Sequence, residues 1–300
     1  MNIYSQISSN KWRTWLIMFL FVVFIATISY VFANALGYNA LTFTGFALIL
    51  SGVFSIGSYY YSDKLVLATL KAREISEKDN PVLFHIVENL SIGDGLPMPK
   101  IYIVDDPSPN AFATGRDPKH AVVCVTSGIL PLMDKAELEG VLAHELSHVK
   151  NYDTRLMGVV AILVGFVSIL ANIFMQSLWW GNFGGNSRDR EDNQLQYIFL
   201  IVGIIFAILS PIAATLIQLA VSRKREYLAD ASGVLLTRYP DGLASALEKL
   251  EKYSKPMKNV SNATASLFIT NPFKDGGQWF SSLFDTHPPL EDRIKILRNM

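Results

Sequence analysis

Four long runs without a charged side chain constrain the fold of this sequence more than any other feature. They cover residues 15–36, 41–61, 156–180 and 197–221, and each contains at least 21 residues. About 20 apolar residues are enough for a helix to cross the hydrocarbon core of a bilayer. Half of all residues are hydrophobic and only 17% are charged, against about 25% in an ordinary soluble domain. The sequence therefore predicts an α-helical integral membrane protein with about four transmembrane helices.

The basic residues beside these runs predict how the chain is oriented. One side of the membrane receives Lys11, Arg13, Lys64, Lys71, Arg73, Arg223, Lys224 and Arg225, whereas the other receives only Arg188 and Arg190. By the positive-inside rule, both termini lie in the cytoplasm, and the chain is a multi-pass protein of the cell inner (plasma) membrane. The lipid bilayer is then its first expected partner. The third and fourth runs have an alternative, a hairpin that is buried in the protein or re-enters the membrane.

A helix is predicted where the sequence reads His144-Glu145-Leu-Ser-His148. Asp134 is a good N-cap with Glu137 three residues later, which is the pattern of a capping box. Histidines four residues apart lie one turn apart on one helix face, with the carboxylate beside them. This arrangement is typical of a Zn²⁺ site that carries its own general base. If the helix continues into the third apolar run, the metal lies about 12 Å from the hydrocarbon edge.

A catalytic zinc needs a third protein ligand and an open position for water. Glu226 and Asp230, four residues apart directly after the fourth run, are the best candidates, because both carboxylates can point to the same place. One can bind zinc while the other accepts the N–H of a ligand histidine, which fixes the orientation of its ring. Alone, such a pair is common on helix surfaces.

Two segments of β pattern, 100–104 and 121–126, predict a small antiparallel sheet just before the zinc helix. The segment Asn110-Ala111-Phe112-Ala113 lies between them, and a sheet edge there can receive an extended peptide by strand addition. On spacing alone, Asn110 and Phe112 are more typical of ordinary hairpin residues. His287, with two prolines after it, is either a loop histidine or a donor to a transition state.

Composition excludes several classes of partner and site. The 26 basic and 26 acidic residues give no net charge, and the aromatic residues cluster in apolar runs, so nucleic acid is not an expected partner. The single cysteine, Cys124, excludes a metal site with several cysteines. No pattern in the sequence specifies an oligomeric state.

Four motifs in this order resemble the HtpX family of integral-membrane zinc metalloproteases, relatives of the CAAX prenyl endopeptidases. They are Asn110-Ala-Phe-Ala-Thr-Gly115, His144-Glu-Leu-Ser-His148, the stretch 222–230 that contains Glu226 and Asp230, and Thr286-His-Pro-Pro289 followed by Arg293 and Ile294. The resemblance extends from the N-terminal hydrophobic hairpin to the C-terminus. It implies a zincin-like (gluzincin) α+β catalytic domain.

The resemblance also implies a role for each motif residue. His144, His148 and Glu226 would bind one Zn²⁺ per chain, with Glu145 as general base. Asp230 would orient a ligand histidine and His287 would stabilise the oxyanion. The segment Asn110, Ala111, Phe112 and Ala113 would be the edge strand that receives substrate.

The expected domains follow from these assignments. Residues 1–61 form a transmembrane hairpin, 62–155 the first part of the catalytic domain, 156–221 a second hairpin, and 222–300 the second part of the catalytic domain. The resemblance implies a metalloendopeptidase that cleaves misfolded or damaged membrane proteins in quality control under stress, with self-cleavage; its expected partners are membrane-protein or peptide substrates. The alternatives are a CAAX-type prenyl-peptide protease and a non-catalytic zinc-binding membrane scaffold.

Overall fold

A computed structural model describes residues 3–35, 38–183, 223–253, 255–258, 260–273 and 288–300. The elements of these ranges are α1 (Ile3–Ala35), α2 (Ala40–Thr69), β1 (Arg73–Ile75), α3 (Pro81–Asp94), β2 (Lys100–Val104), β3 (Ala111–Thr114), β4 (Val122–Thr126), α4 (Lys135–Lys150), α5 (Asp153–Phe183), α6 (Arg223–Thr237), α7 (Pro240–Tyr253), α8 (Asn262–Ala265) and α9 (Leu290–Leu297). The fourth apolar run, 197–221, and His287 lie outside the described residues.

The first two helices form the predicted apolar hairpin. The segment Gln6–Val31 of α1 and the whole of α2 are long and apolar enough to cross a membrane, and most of their side chains point away from the protein. The buried face of α2 carries a row of four serines, Ser51, Ser55, Ser58 and Ser62. Small side chains let helices approach closely within a membrane, and Ser62 accordingly lies against Gly158 of α5. The hairpin is thereby joined to the helix that follows α4.

The sheet has four strands in the order β1-β2-β4-β3. β1 pairs antiparallel with β2, and β3 pairs antiparallel with β4, but β2 and β4 are parallel. The expectation of a small antiparallel sheet is therefore wrong, and the sheet is mixed. The segments 100–104 and 121–126 do not form a hairpin, because residues 105–110 carry the chain past β4 so that β3 occupies its far side. β3 is consequently an edge strand.

Helix α4 has the predicted bounds and the predicted capping box, in which Asp134 and Glu137 bond each other's backbone N–H. It does not continue into the third apolar run. The chain turns through Tyr152, whose φ of 59° is in the left-handed region, and α5 starts at an angle of 82° to α4. The first part of α5, from Leu156 to Val164, is largely buried in the protein. The expected distance from the metal to the hydrocarbon edge assumed one continuous helix, and it therefore does not apply.

Two glycines allow α4 to lie close to its neighbours. A Cβ at Gly233 of α6 would come within 3.1 Å of the backbone nitrogen of His144, and one at Gly140 within 2.8 Å of the backbone nitrogen of Leu243 in α7. The contact at Gly140 is shorter than Cβ atoms make in proteins, and the one at Gly233 would require its neighbours to shift by a few tenths of an ångström. The close approach of α6 places Glu226 next to the histidines of α4.

Candidate metal centre

Three predicted metal ligands converge where α4 meets α6. The Nε2 atoms of His144 and His148 are 3.2 Å apart. A carboxylate oxygen of Glu226 lies 3.7 Å from Nε2 of His144, and the other lies 3.5 Å from Nε2 of His148. All three side chains are buried. Among the described residues, this is the group of His, Cys, Asp and Glu side chains with the geometry of a metal site.

The spacing of these atoms fits a zinc ion. With ligands at 2.0–2.1 Å in tetrahedral geometry, two ligand atoms on the same ion are about 3.3 Å apart. The two imidazole nitrogens are 3.2 Å apart, and the two oxygens of Glu226 lie 3.7 Å from one nitrogen and 3.5 Å from the other, so that one ligand atom from each residue lies within 4.8 Å of the others. Two imidazole nitrogens and a carboxylate oxygen are also a donor set that zinc accepts readily. The residues present therefore fit the ion.

A carboxylate holds the far side of the His144 ring. Nδ1 of His144 lies 2.9 Å from a carboxylate oxygen of Asp230, so the ring presents Nε2 to the metal position. Arg293 of α9 donates two hydrogen bonds, of 2.9 and 2.6 Å, to the same carboxylate. Asp230 thus lies where the sequence predicts it, and Arg293 fixes it there.

A second carboxylate, which the sequence did not predict, does the same for His148. Oδ2 of Asp153, in the first turn of α5, lies 3.1 Å from Nδ1 of His148. Its Oδ1 accepts hydrogen bonds of 2.8 Å from Asn10 and 3.0 Å from Arg225, and Arg225 also donates to the side-chain oxygen of Asn10. The apolar hairpin therefore contributes a side chain, Asn10, to the support of the metal centre.

These contacts set the charges of the buried groups. Burial disfavours the charged form of His148, but the hydrogen bond to Asp153 and the charge of Glu226 outweigh it and raise the pKa of the imidazole to about 9. Burial likewise opposes ionisation of Asp230, but the charge of Arg293 and the hydrogen bond to His144 outweigh it and hold its pKa below the usual range. The metal-free centre thus favours a cation at the position of the ion.

Glu145 lies beside the ligands in a very small cavity. Its side chain is buried, and it lines the cavity with Ala113, His144, His148, Thr154, Met157, Leu267 and Ile269. The cavity has a volume of about 10 Å³, which is about the space that one water molecule needs. Water can therefore stand beside Glu145 and the ligands, but a peptide cannot enter the site in this conformation.

The predicted substrate strand is covered by a later part of the same chain. The backbone N–H of Ile269 donates to the carbonyl of Ala111 at 3.1 Å, and the side chain of Asn110 bonds both the N–H and the C=O of Thr270. Phe112 stacks edge-on against Phe268. The predicted segment thus lies at the site, since Ala113 lines the cavity, but residues 267–270 occupy its outer edge.

Comparisons with known proteins identify the family of this chain. A model of peptidase family M48 matches residues 77–300. A protease HtpX homolog of Tropheryma whipplei (strain Twist) is 48% identical over 297 residues, which cover 99% of this chain and 98% of the relative. One of Lactobacillus acidophilus is 48% identical over 308 residues, with 99% and 100% covered. The crystal structure of S. mikatae Ste24p has the same fold, with a TM-score of 0.51 at 18% identity. The match covers 95% of this chain and 66% of the Ste24p chain, which is just under two thirds of the length of Ste24p.

A metalloprotease joined to membrane helices is the class of protein that the fold and these relatives define. The chain belongs to peptidase family M48. The resemblance to the HtpX proteases, expected from four motifs, is confirmed by relatives that are nearly half identical over almost the entire chain.

Proposed function

We propose that this chain is a zinc-dependent endopeptidase that hydrolyses peptide bonds of membrane proteins at the cytoplasmic face of the plasma membrane. The observation that carries the proposal is the triangle of His144, His148 and Glu226, whose spacing fits one tetrahedral ion, with Glu145 in the same cavity. Two histidines from one helix and a glutamate from a second are the gluzincin arrangement, and we assign one Zn²⁺ to each chain.

When bound, the zinc supplies a Lewis acid that lowers the pKa of water towards about 7 and polarises the scissile carbonyl. Asp230 and Asp153 keep the two imidazole rings turned so that Nε2 of each faces the ion. Hydrogen bonds of this kind also make the ring nitrogens better ligands. The buried carboxylates thus act on the reaction through the histidines.

Glu145 is the proposed general base. It accepts the proton of the water that attacks the scissile carbonyl, and it delivers that proton to the leaving amine. By its resemblance to the family motif, His287 would donate to the oxyanion, a contact worth about 3 kcal/mol at comparable sites. The peptide bond is broken with no covalent attachment of substrate to the chain.

We propose that substrate pairs with the outer edge of β3, where Ala113 faces the cavity, as a strand pairs with a sheet. The room of about 10 Å³ beside Glu145 is too small for a peptide. Residues 267–270 therefore separate from β3 before substrate enters. In this step, the hydrogen bond between the N–H of Ile269 and the carbonyl of Ala111 is replaced by a hydrogen bond between β3 and the substrate.

The proposed arrangement in the membrane follows the four segments predicted from the sequence. Residues 1–61 and 156–221 form hairpins in the bilayer, whereas 62–155 and 222–300 form the catalytic domain with both termini in the cytoplasm. Misfolded or damaged membrane proteins, and the chain itself, are the proposed substrates. The charge pattern beside the apolar runs and the identity to HtpX homologs support this assignment.

Cleavage of a model membrane protein by the reconstituted full chain tests the proposal. Glu145→Gln is expected to keep bound zinc and the unfolding temperature of the wild type while losing cleavage, because only the base is removed. Glu139→Gln is the matched control, since Glu139 lies on the same helix and, among the residues that the structure describes, pairs with exposed Lys135 alone, at 3.7 Å. It is expected to retain full turnover.

Undiminished turnover in Glu145→Gln would refute the assignment of the base. A farnesylated peptide is assayed beside the membrane protein. Cleavage of that peptide alone would replace the proposed substrate class by prenyl peptides.

A further inference from the structure

A second and much larger cavity lies where α2 reaches the catalytic domain. It has a volume of about 600 Å³, within the range of 300–1,000 Å³ that is usual for small-ligand sites. Tyr60 and Tyr61, which are about half exposed, form one part of its rim, and Asp63 and Lys64 follow them. These two charged residues end the long apolar stretch of α2, so the cavity lies at the level of the membrane surface.

The lining of this cavity is rich in basic side chains although the chain as a whole has no net charge. Its basic residues are Lys64, Lys100, Arg116, Lys119 and His120, and its acidic residue is Asp63. The hydroxyl groups of Tyr60 and Tyr61 add further hydrogen-bond donors, whereas that of Tyr102 already donates to Glu74. This combination suits a ligand with a negative charge and several acceptor oxygens, such as a phosphate ester.

Some of these cations are already paired within the protein, and others are not. Lys100 lies 3.0 Å from Glu74, and Arg116 contacts Asp117 at 3.5 Å. Lys64 and Lys119, by contrast, have no carboxylate within 4 Å among the residues that the structure describes. The ammonium group of Lys64 lies 5.2 Å from the centre of the Tyr61 ring, at the rim of the cavity. Two ammonium groups are therefore available to a ligand.

We propose that this cavity binds the headgroup of an anionic phospholipid in the leaflet on the catalytic side, with Lys64 and Lys119 as the ligands of its phosphate. A lipid is favoured over a soluble phosphate because Ile56, one turn before Tyr60 in the apolar stretch of α2, is exposed beside the rim, so that acyl chains can lie along this face. Basic residues at a membrane surface attract anionic lipids in this way.

The headgroup site is connected to the catalytic cavity through two consecutive backbone carbonyl groups. The backbone carbonyl of Arg116 accepts a hydrogen bond of 2.7 Å from Arg155, and the carbonyl of Gly115 accepts one of 3.0 Å from Thr154. Thr154 lines the catalytic cavity, and β3 ends at Thr114. A bound headgroup that orders residues 115–120 therefore also orders the end of the proposed substrate strand, and is expected to raise proteolytic turnover.

Lipid binding is tested on the full chain in detergent, in the Glu145→Gln background so that the result does not depend on peptide hydrolysis. Short-chain phosphatidylglycerol, phosphatidylcholine with the same chains and inorganic phosphate are each titrated by calorimetry. Replacing both lysines, Lys64→Gln with Lys119→Gln, is expected to weaken phosphatidylglycerol binding about 25-fold, at roughly fivefold for each lysine. The double control, Lys78→Gln with Lys252→Gln, alters two exposed lysines away from the cavity and is expected to bind as the parent does.

Equal binding of phosphatidylcholine, or unchanged affinity in the lysine variant, would overturn the proposal. Inorganic phosphate that binds as tightly as the lipid would assign the cavity to a soluble anion instead. If the double variant does not fold, Lys119→Gln alone, at an exposed lysine, is expected to lose about fivefold. In nanodiscs, adding phosphatidylglycerol is expected to raise the turnover of the wild type but not the turnover of the lysine variant. Equal stimulation of both proteins by the lipid would refute the link to the catalytic cavity.

Discussion

Replacement of Asp153 by Asn removes one negative charge from the support of the metal centre and keeps the shape of the side chain. Asp153 is buried, contacts Nδ1 of His148 at 3.1 Å, and accepts hydrogen bonds from Asn10 and Arg225. An amide has one acceptor oxygen in place of two, so it can accept from the His148 ring or from Asn10 and Arg225, but not from both sides. Metal affinity and folding stability are therefore both expected to fall.

The two effects have different magnitudes. Loss of a carboxylate behind a ligand histidine lowers metal affinity by about 10–100-fold, or about 1.4–2.8 kcal/mol. The ion pair between Asp153 and Arg225, 3.0 Å long with both side chains at most 5% exposed, adds a cost to the metal-free protein. Breaking a buried pair costs about 3–5 kcal/mol, and the lower end is expected because the asparagine still accepts a hydrogen bond.

Zinc affinity is measured by competition with a chromophoric chelator, and the stability of the metal-free protein by its unfolding midpoint. Asp105→Asn is the matched control, because Asp105 is exposed, lies outside the centre and, in the described part of the chain, accepts one side-chain hydrogen bond, from Ser127. Wild-type zinc affinity in Asp153→Asn would refute the assignment of Asp153 as the residue that orients His148. Lower stability with unchanged zinc affinity would reduce its role to that of a folding contact.

Three further predictions concern the surroundings of the site. Arg293→Met is expected to lower the free energy of unfolding by about 3–5 kcal/mol, because buried Asp230 loses the arginine that donates two hydrogen bonds to it. The control, Arg298→Met, changes a side chain that is 38% exposed and is expected to cost under about 1 kcal/mol. Equal losses of stability in thermal unfolding would contradict this contrast. Asn110→Ala is expected to speed amide hydrogen exchange in residues 266–273, because it removes both hydrogen bonds to that segment, and unchanged exchange would mean that the segment is held by other contacts. Chelation of the metal is expected to lower the unfolding temperature of the wild type, because the ion binds only the folded chain; an unchanged temperature would contradict a metal held by the folded site.

The ligand-bearing helix could be predicted because its determinants are local. The capping box of Asp134 and Glu137 fixes where α4 begins, and the i, i+4 spacing fixes the relation of His144 to His148. Glu226 could be identified by chemistry, since a zinc site needs a third ligand. Its position beside the histidines depends on tertiary packing and became visible only in the structure.

The residues that the sequence did not reveal act through contacts distant in the chain. Asp153 follows His148 by only five residues, but its role depends on the turn at Tyr152, which sends α5 away at 82° and brings the Asp153 carboxylate back to the imidazole. No proline or glycine occurs between Val141 and Met157, so the sequence contains no helix-breaking residue that would mark this bend. The carbonyl of Asn151 accepts a hydrogen bond of 2.9 Å from Asn10, so a residue about 140 positions earlier helps to hold the corner.

The two histidines are supported in parallel ways, and this has a consequence for when the site can exist. Each ring is fixed by a carboxylate, and each carboxylate is fixed by an arginine from a distant part of the chain, Arg293 in one case and Arg225 in the other. The support of His148 also includes Asn10 of the first apolar helix. A chain in which this helix has not docked lacks one of the contacts that orient a metal ligand. The orientation of His148 thereby depends in part on docking of the first apolar helix, through the hydrogen bond of Asn10 to Asp153.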